Sequence, residues 1–179
     1  MRIDEAARVL SDWDRRSRSV YTKRDLAKLF GEPTGDTLNE TIKRLVARKL
    51  LIRAARGVYV YALSSNLGPA TIEDVAEAIR RGEYNFESLE SALSQWGAIS
   101  QVPIDRITVM TTGRKGEFRT PFGVIEFTHT ASSPLEIVAN VVRRDGHPLP
   151  IATREYALVN LKRVGRNLDL IVQEDDEHE

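Results

Sequence analysis

Between residues 37 and 61 the spacing of apolar side chains changes its period, and that change limits the folds open to the chain. Leu38, Ile42, Leu45 and Val46 recur at the three- and four-residue spacing of one helix face. Leu51-Ile52-Arg53 and Val58-Tyr59-Val60-Tyr61 then read as short strands, the second rich in β-branched and aromatic residues. Ala54-Ala55-Arg56-Gly57, with its turn glycine, lies between them, so the two strands pair as a hairpin. Two helical patterns come first. Ile3, Ala6, Ala7, Leu10 and Trp13 give one an apolar face, and it ends in the basic stretch Arg15-Arg16-Ser17-Arg18. Thr22, with Asp25 three residues on, is placed to cap a second helix whose Leu26, Leu29 and Phe30 face the core. Gly31 ends that helix, and Thr37, with Glu40 at the capping-box position, opens the third. Three helices followed by a hairpin is the order of a winged helix-turn-helix, expected here over residues 1–66.

The charge distribution agrees with a nucleic-acid module. Lys and Arg total 26, as do Asp and Glu, so the net charge is zero. Residues 1–66 nevertheless carry 14 basic and 8 acidic side chains, and residues 67–179 carry 12 and 18. A basic first part beside an acidic remainder fits a DNA-binding module joined to something else. In such a module the third helix enters the major groove, which is wide enough to admit one. Thr37, Asn39, Thr41, Lys43, Arg44 and Arg48 on that helix are the candidate contacts, with Thr22 and Lys23 at the start of the second helix. Arg53 and Arg56 on the hairpin would reach phosphates or the minor groove.

Residues 67–179 read as a small α+β domain with a mainly antiparallel sheet. Ser64-Ser65-Asn66-Leu67-Gly68-Pro69 has the composition of a linker. Thr71-Ile72-Glu73-Asp74 reads as a capping-box start to a helix with Ile72, Val75, Ala76 and Ile79 on one side, and residues 87–96 form another, ended by Gly97. Strands are expected at residues 104–112, 117–120 and 124–128. Asp145-Gly146 signals a hairpin between Val141-Val142 and Leu149-Pro150-Ile151. Thr153 caps a last helix running to about Val164, and the acidic run at 173–179 frays.

Little in the sequence points to catalysis. Cysteine is absent, which excludes disulfides, thiolate metal sites and thiol nucleophiles. His129, His147 and His178 lack metal-ligand spacing, and no phosphate-loop or dinucleotide glycine pattern occurs. Asp12 and Asp14 lie two apart on a helix and point away from each other. Asp105 followed by Glu117-Phe118-Arg119 loosely follows a metal-nuclease pattern. Arg119, however, stands where a lysine base would be needed, and guanidinium stays protonated; it is expected to pair across the sheet or face solvent. No cofactor and no metal is expected, and the chain reads as a binding protein, not an enzyme. No apolar run is long enough for a membrane span and no signal peptide opens the chain, so the expected compartment is the cytoplasm.

Several segments resemble AbiEi-family antitoxins. Tyr21-Thr22-Lys23-Arg24-Asp25-Leu26, the run from Ile42 to Leu51, and Ala55-Arg56-Gly57-Val58-Tyr59-Val60 resemble that family's N-terminal domain. The run from Phe86 to Gly97 is similar to its central helix, and Thr108 to Arg114 and Pro121 to His129 to the strands that follow. The chain departs from the family over Ala152 to Leu161, where members have Pro-Glu-Lys before Ala-Leu. The resemblance implies a toxin–antitoxin or phage-defence module. Its antitoxin represses its own promoter through a winged helix and counters a nucleotidyltransferase-like toxin through its C-terminal domain. It implies no toxin-contacting residues. Two other readings stay open: a winged-helix regulator whose C-terminal domain binds an effector, and a metal nuclease.

Overall fold

The computed structural model describes residues 1–101 and 104–172, so the expected fraying at 173–179 lies outside the described residues. The chain divides into two compact units, Met1–Arg81 with Thr120–Phe122, and Gly82–Arg119 with Gly123–Glu179. The division therefore comes after Arg81, where the sequence suggested Asn66. Both units mix helices and strands, and the fold class is α+β.

In the first unit, helix α1 (Ile3–Asp14) is followed by a strand the sequence reading lacks, β1 (Val20–Thr22). Helix α2 (Lys23–Phe30) has the expected capping box: Thr22 accepts from the Asp25 amide at 3.2 Å, and Asp25 accepts from the Thr22 amide at 2.7 Å. Gly31 ends it in the left-handed conformation. Helix α3 (Asp36–Ala47) is capped two residues earlier than expected, at Gly35, with no side-chain cap. Thr37 thus lies inside the first turn and forms no box with Glu40. Strands β2 (Leu51–Ala55) and β3 (Val58–Tyr61) make the hairpin, with a bulge between Arg53 and Ala55. The sheet order is β1-β3-β2, antiparallel throughout. Leu10, Tyr21, Leu26, Leu38, Leu45 and Leu51 are the centre of one core.

The supposed linker is ordered. The Ser65 amide and hydroxyl each donate to Asp14 at 3.1 Å, Asn66 donates to it at 2.8 Å, and the Ser64 hydroxyl donates as well. Helix α4 (Thr71–Ile79) then packs on β1 and β3. It starts without a capping box, because the Thr71 hydroxyl instead accepts from the Gly68 amide at 2.9 Å.

The second unit is built on a six-stranded sheet of order β6-β7-β5-β4-β9-β8. Its strands are β4 (Asn85–Glu87), β5 (Arg106–Thr111), β6 (Gly116–Thr120), β7 (Gly123–His129), β8 (Val141–Val142) and β9 (Ile151–Ala152). The sheet is mixed, which corrects the mainly antiparallel expectation. Three strands joined by short turns read as a meander with antiparallel neighbours; here β7 inserts between β5 and β6 and runs parallel to β5 over six residue pairs. The expected hairpin forms, with Val141 opposite Ala152 and Val142 opposite Ile151. Helices α5 (Leu89–Gln95), α6 (Pro134–Ala139) and α7 (Arg154–Val164) complete the unit. Thr153 caps α7 as expected, accepting from the Tyr156 amide at 3.3 Å. Phe86, Leu89, Leu93, Ile151, Ala157 and Leu161 form its core.

Candidate nucleic-acid interface

The first unit places most of the expected contact residues on one helix and one turn. On α3, Leu38, Ile42 and Leu45 are buried, and Thr37, Asn39, Lys43, Arg44 and Arg48 are exposed on the arc the core does not use. Lys43 is 78% exposed and faces Glu40 on its own helix, at 3.8 Å. Thr41 departs from expectation. It is 2% exposed, its hydroxyl donates to Glu32 at 3.3 Å, and it packs with the core arc of α3, so it presents nothing to a ligand. Arg44 is exposed but tied back: its Nη2 donates to the Met1 carbonyl at 2.9 Å and to Thr41 Oγ1 at 3.3 Å.

Arg53 and Arg56 are exposed on the β2–β3 hairpin. The turn between the strands needs Gly57 at φ +75°, a conformation that side chains with a Cβ resist. The Lys23 amide donates to the Gly57 carbonyl at 2.9 Å, so the hairpin tip and the start of α2 are held together. Lys23 is half-buried at that junction. Thr22 is occupied by the capping box and also faces Arg81, at 3.2 Å.

Asp25 organises this corner, a role the sequence reading saw only as a helix cap. Beyond the box it pairs with Arg18 at 3.0 Å and with Arg81 at 2.7 Å. Burial works against its ionisation, but the Thr22 amide, the Arg81 guanidinium and the Thr22 hydroxyl outweigh that and hold its pKa at about 2. The Arg18 guanidinium also lies over the rings of Trp13 and Tyr21, at 5.7 and 5.4 Å from their centroids. Asp14 is held below its ordinary pKa in a similar way. Burial opposes ionisation, and hydrogen bonds from Ser64, Ser65 and Asn66 more than compensate. Nothing local in the sequence marks Ser65 as a partner of Asp14 or Arg81 as a partner of Asp25, each pair lying more than fifty residues apart along the chain.

The nuclease pattern is not assembled as a site. Glu117 faces Arg106 at 3.1 Å and Arg119 at 3.3 Å, so Arg119 pairs within its own strand. Among the described residues no group of three or more His, Cys, Asp or Glu side chains could hold a metal ion. Among the same residues no helix is long and apolar enough to cross a membrane.

No curated protein matches the chain. Among solved structures it is similar in fold to the RV2827C protein from Mycobacterium tuberculosis, with a TM-score of 0.60 at 18% identity. The match covers 88% of this chain and 60% of the mycobacterial one. Residues 23–165 match a family of unknown function, DUF6088; the chain belongs to that family.

Proposed function

We propose that the protein is a cytoplasmic DNA-binding repressor that also serves as the antitoxin of a two-gene module, acting by binding and not by catalysis. The observation that carries the DNA reading is the polar arc of α3: Thr37, Asn39, Lys43 and Arg48 are exposed there, and Arg53 and Arg56 are exposed on the hairpin of the same unit. The element order α1-β1-α2-α3-β2-β3, with a three-stranded antiparallel sheet, supports reading this unit as a winged helix-turn-helix. In that reading α3 meets base edges in the major groove and the hairpin arginines meet phosphates. Charge supports it as well. Extended to Arg81, the first unit still holds 16 basic against 11 acidic side chains. The antitoxin half, with a nucleotidyltransferase-like toxin as partner and the protein's own promoter as operator, is supported by the motif resemblance to AbiEi antitoxins.

Two measurements test the two halves. Fluorescence anisotropy with DNA from upstream of the protein's own reading frame should give saturable binding that weakens steeply with salt. Binding that is absent at low salt, or that does not prefer this DNA over a scrambled duplex, overturns the repressor reading. Co-expression with the product of the adjacent reading frame should restore growth and yield a complex on pull-down. A toxic neighbour that the protein neither binds nor neutralises overturns the antitoxin reading.

A further inference from the structure

We propose that the second unit carries a binding site for a small zwitterion of the α-amino-acid type whose side chain ends in a carboxamide. The site lies between α6, α7 and the end of β7, and it stands independently of DNA or toxin binding. A cavity of about 360 Å³ is found there, lined by Met110, His129, Ser132, Glu136, Asn160 and Arg163 among others. That volume is within the range of small-molecule pockets.

The inner wall is polar and incomplete. Asn160 is 1% exposed, and its Nδ2 donates to Ser88 Oγ at 3.0 Å. Its Oδ1 is buried and has no hydrogen-bond partner among the described residues. Buried amide oxygens are rarely left so. A hydroxyl both donates and accepts, so turning the amide over would keep the Ser88 contact and leave Nδ2 unpaired instead. A carboxamide brings both a donor and an acceptor and satisfies either orientation. The neighbouring hydroxyls already have partners: Tyr156 donates to Ser132 Oγ at 3.0 Å, and Thr130 Oγ1 accepts from the Ser132 amide at 3.1 Å. His129 Nδ1 lies 2.8 Å from the Gly113 carbonyl, which only accepts, so that nitrogen carries a hydrogen.

The outer wall carries one charge of each sign. Arg163 Nη1 is 3.4 Å from Glu136 Oε1, a long contact between side chains 59% and 37% exposed. A zwitterion can exchange into such a pair, its carboxylate on the guanidinium and its ammonium on the carboxylate. Asn160 and Arg163 are three residues apart on α7, which puts their Cβ atoms about 5–6 Å apart on one face. An amino acid with a short carboxamide side chain spans that interval, and Met110 supplies an apolar wall for its methylenes.

The test uses the full-length, isotope-labelled protein titrated with L-asparagine, L-glutamine, and L-leucine as the zwitterion lacking a polar tail. Saturable shifts are expected for the Asn160 side-chain amide and the α6 and α7 backbone with a carboxamide amino acid, and weaker ones with leucine. Arg163→Ala and Glu136→Gln, both at the rim, should each weaken binding roughly tenfold or more. Asn160→Leu, checked by thermal melting, should remove the preference over leucine. If Asn160→Leu does not fold, the rim variants and the leucine comparison decide the matter. The proposal is overturned if neither carboxamide amino acid shifts these signals at millimolar concentration, if leucine binds equally well, or if the rim variants bind like the parent.

Discussion

Replacing Asp25 with alanine should destabilise the first unit by about 2 kcal/mol at neutral pH. Loss of an N-cap interaction costs roughly 1 kcal/mol. The two ion pairs, with Arg18 and Arg81, are partly solvated and contribute about 0.2–1 kcal/mol each. Linkage gives a compatible figure. A carboxyl near 3.9 in the unfolded chain and at about 2 in the folded one corresponds to roughly 2.6 kcal/mol, less a discount for the exposed guanidinium of Arg81. The folded pKa is depressed, so this stability is present in full above the unfolded pKa and is lost as pH falls towards 2. At pH 3 about half of it is gone. The assay is urea unfolding followed by Trp13 fluorescence in a Trp96→Phe background, because Trp13 lies in the first unit and Trp96 in the second. The parent and the Asp25→Ala variant are compared at pH 7 and pH 3, and the gap between them should narrow by about half. A gap below about 0.5 kcal/mol at pH 7, or one equal at the two pH values, would refute the reasoning.

Lys43→Ala should weaken promoter binding by about 1–3 kcal/mol if the side chain meets a base, or lower the salt slope by roughly one unit if it meets a phosphate; anisotropy at several salt concentrations distinguishes these. Arg44→Ala is a poorer probe, since its contacts to Met1 and Thr41 mean that it should also lower the melting temperature. Arg56→Ala should reduce affinity for all duplexes about equally, and a selective loss on the promoter would instead place it on base edges. Gly57→Val should cost about 1–3 kcal/mol through φ alone, because an added Cβ meets nothing within 4 Å; Gly57→Asn should recover much of it in the same melt. A fragment of residues 1–66 should melt below one of residues 1–81, since it lacks α4, and Asp14→Ala should lower the melting temperature of the full chain at pH 7 but progressively less below pH 4, the folded carboxyl being depressed.

What could be read from the sequence was what neighbouring residues decide among themselves. The Thr22–Asp25 box, the Gly31 stop, the Asp145-Gly146 hairpin and the Thr153 cap each depend on groups a few residues apart, and each is present. Thr37 with Glu40 has the same spacing as Thr22 with Asp25 yet makes no box, because the N-cap is Gly35, two residues before Thr37. Strand β1 has no sequence signal because three residues show no alternation, and β4 has none because Asn85-Phe86-Glu87 runs straight into a helical pattern. Helix α6 did carry a local signal, a Ser133 cap followed by Pro134 and Glu136.

The candidate interface divides along the same line. Exposure of Asn39, Lys43 and Arg48 follows from helical periodicity, which assigns the buried arc to Leu38, Ile42 and Leu45. Thr41 falls between the two arcs on that count, and Glu32, from a separate turn, draws it inward. The pairings that fix the start of α2 depend on Arg81, beyond α4, and on the Gly57 carbonyl of the hairpin, which no spacing rule links to Asp25 or Lys23. A net charge is equally blind to such use. Arg18 and Arg81 are engaged on Asp25 and Arg44 on a main-chain carbonyl, so part of the first unit's basic excess is structural. Of the candidate contacts, Lys43, Arg48, Arg53 and Arg56 are the exposed cations that remain, so if the proposed DNA face is built on these four alone, a salt slope near four or fewer is the expectation for a single copy.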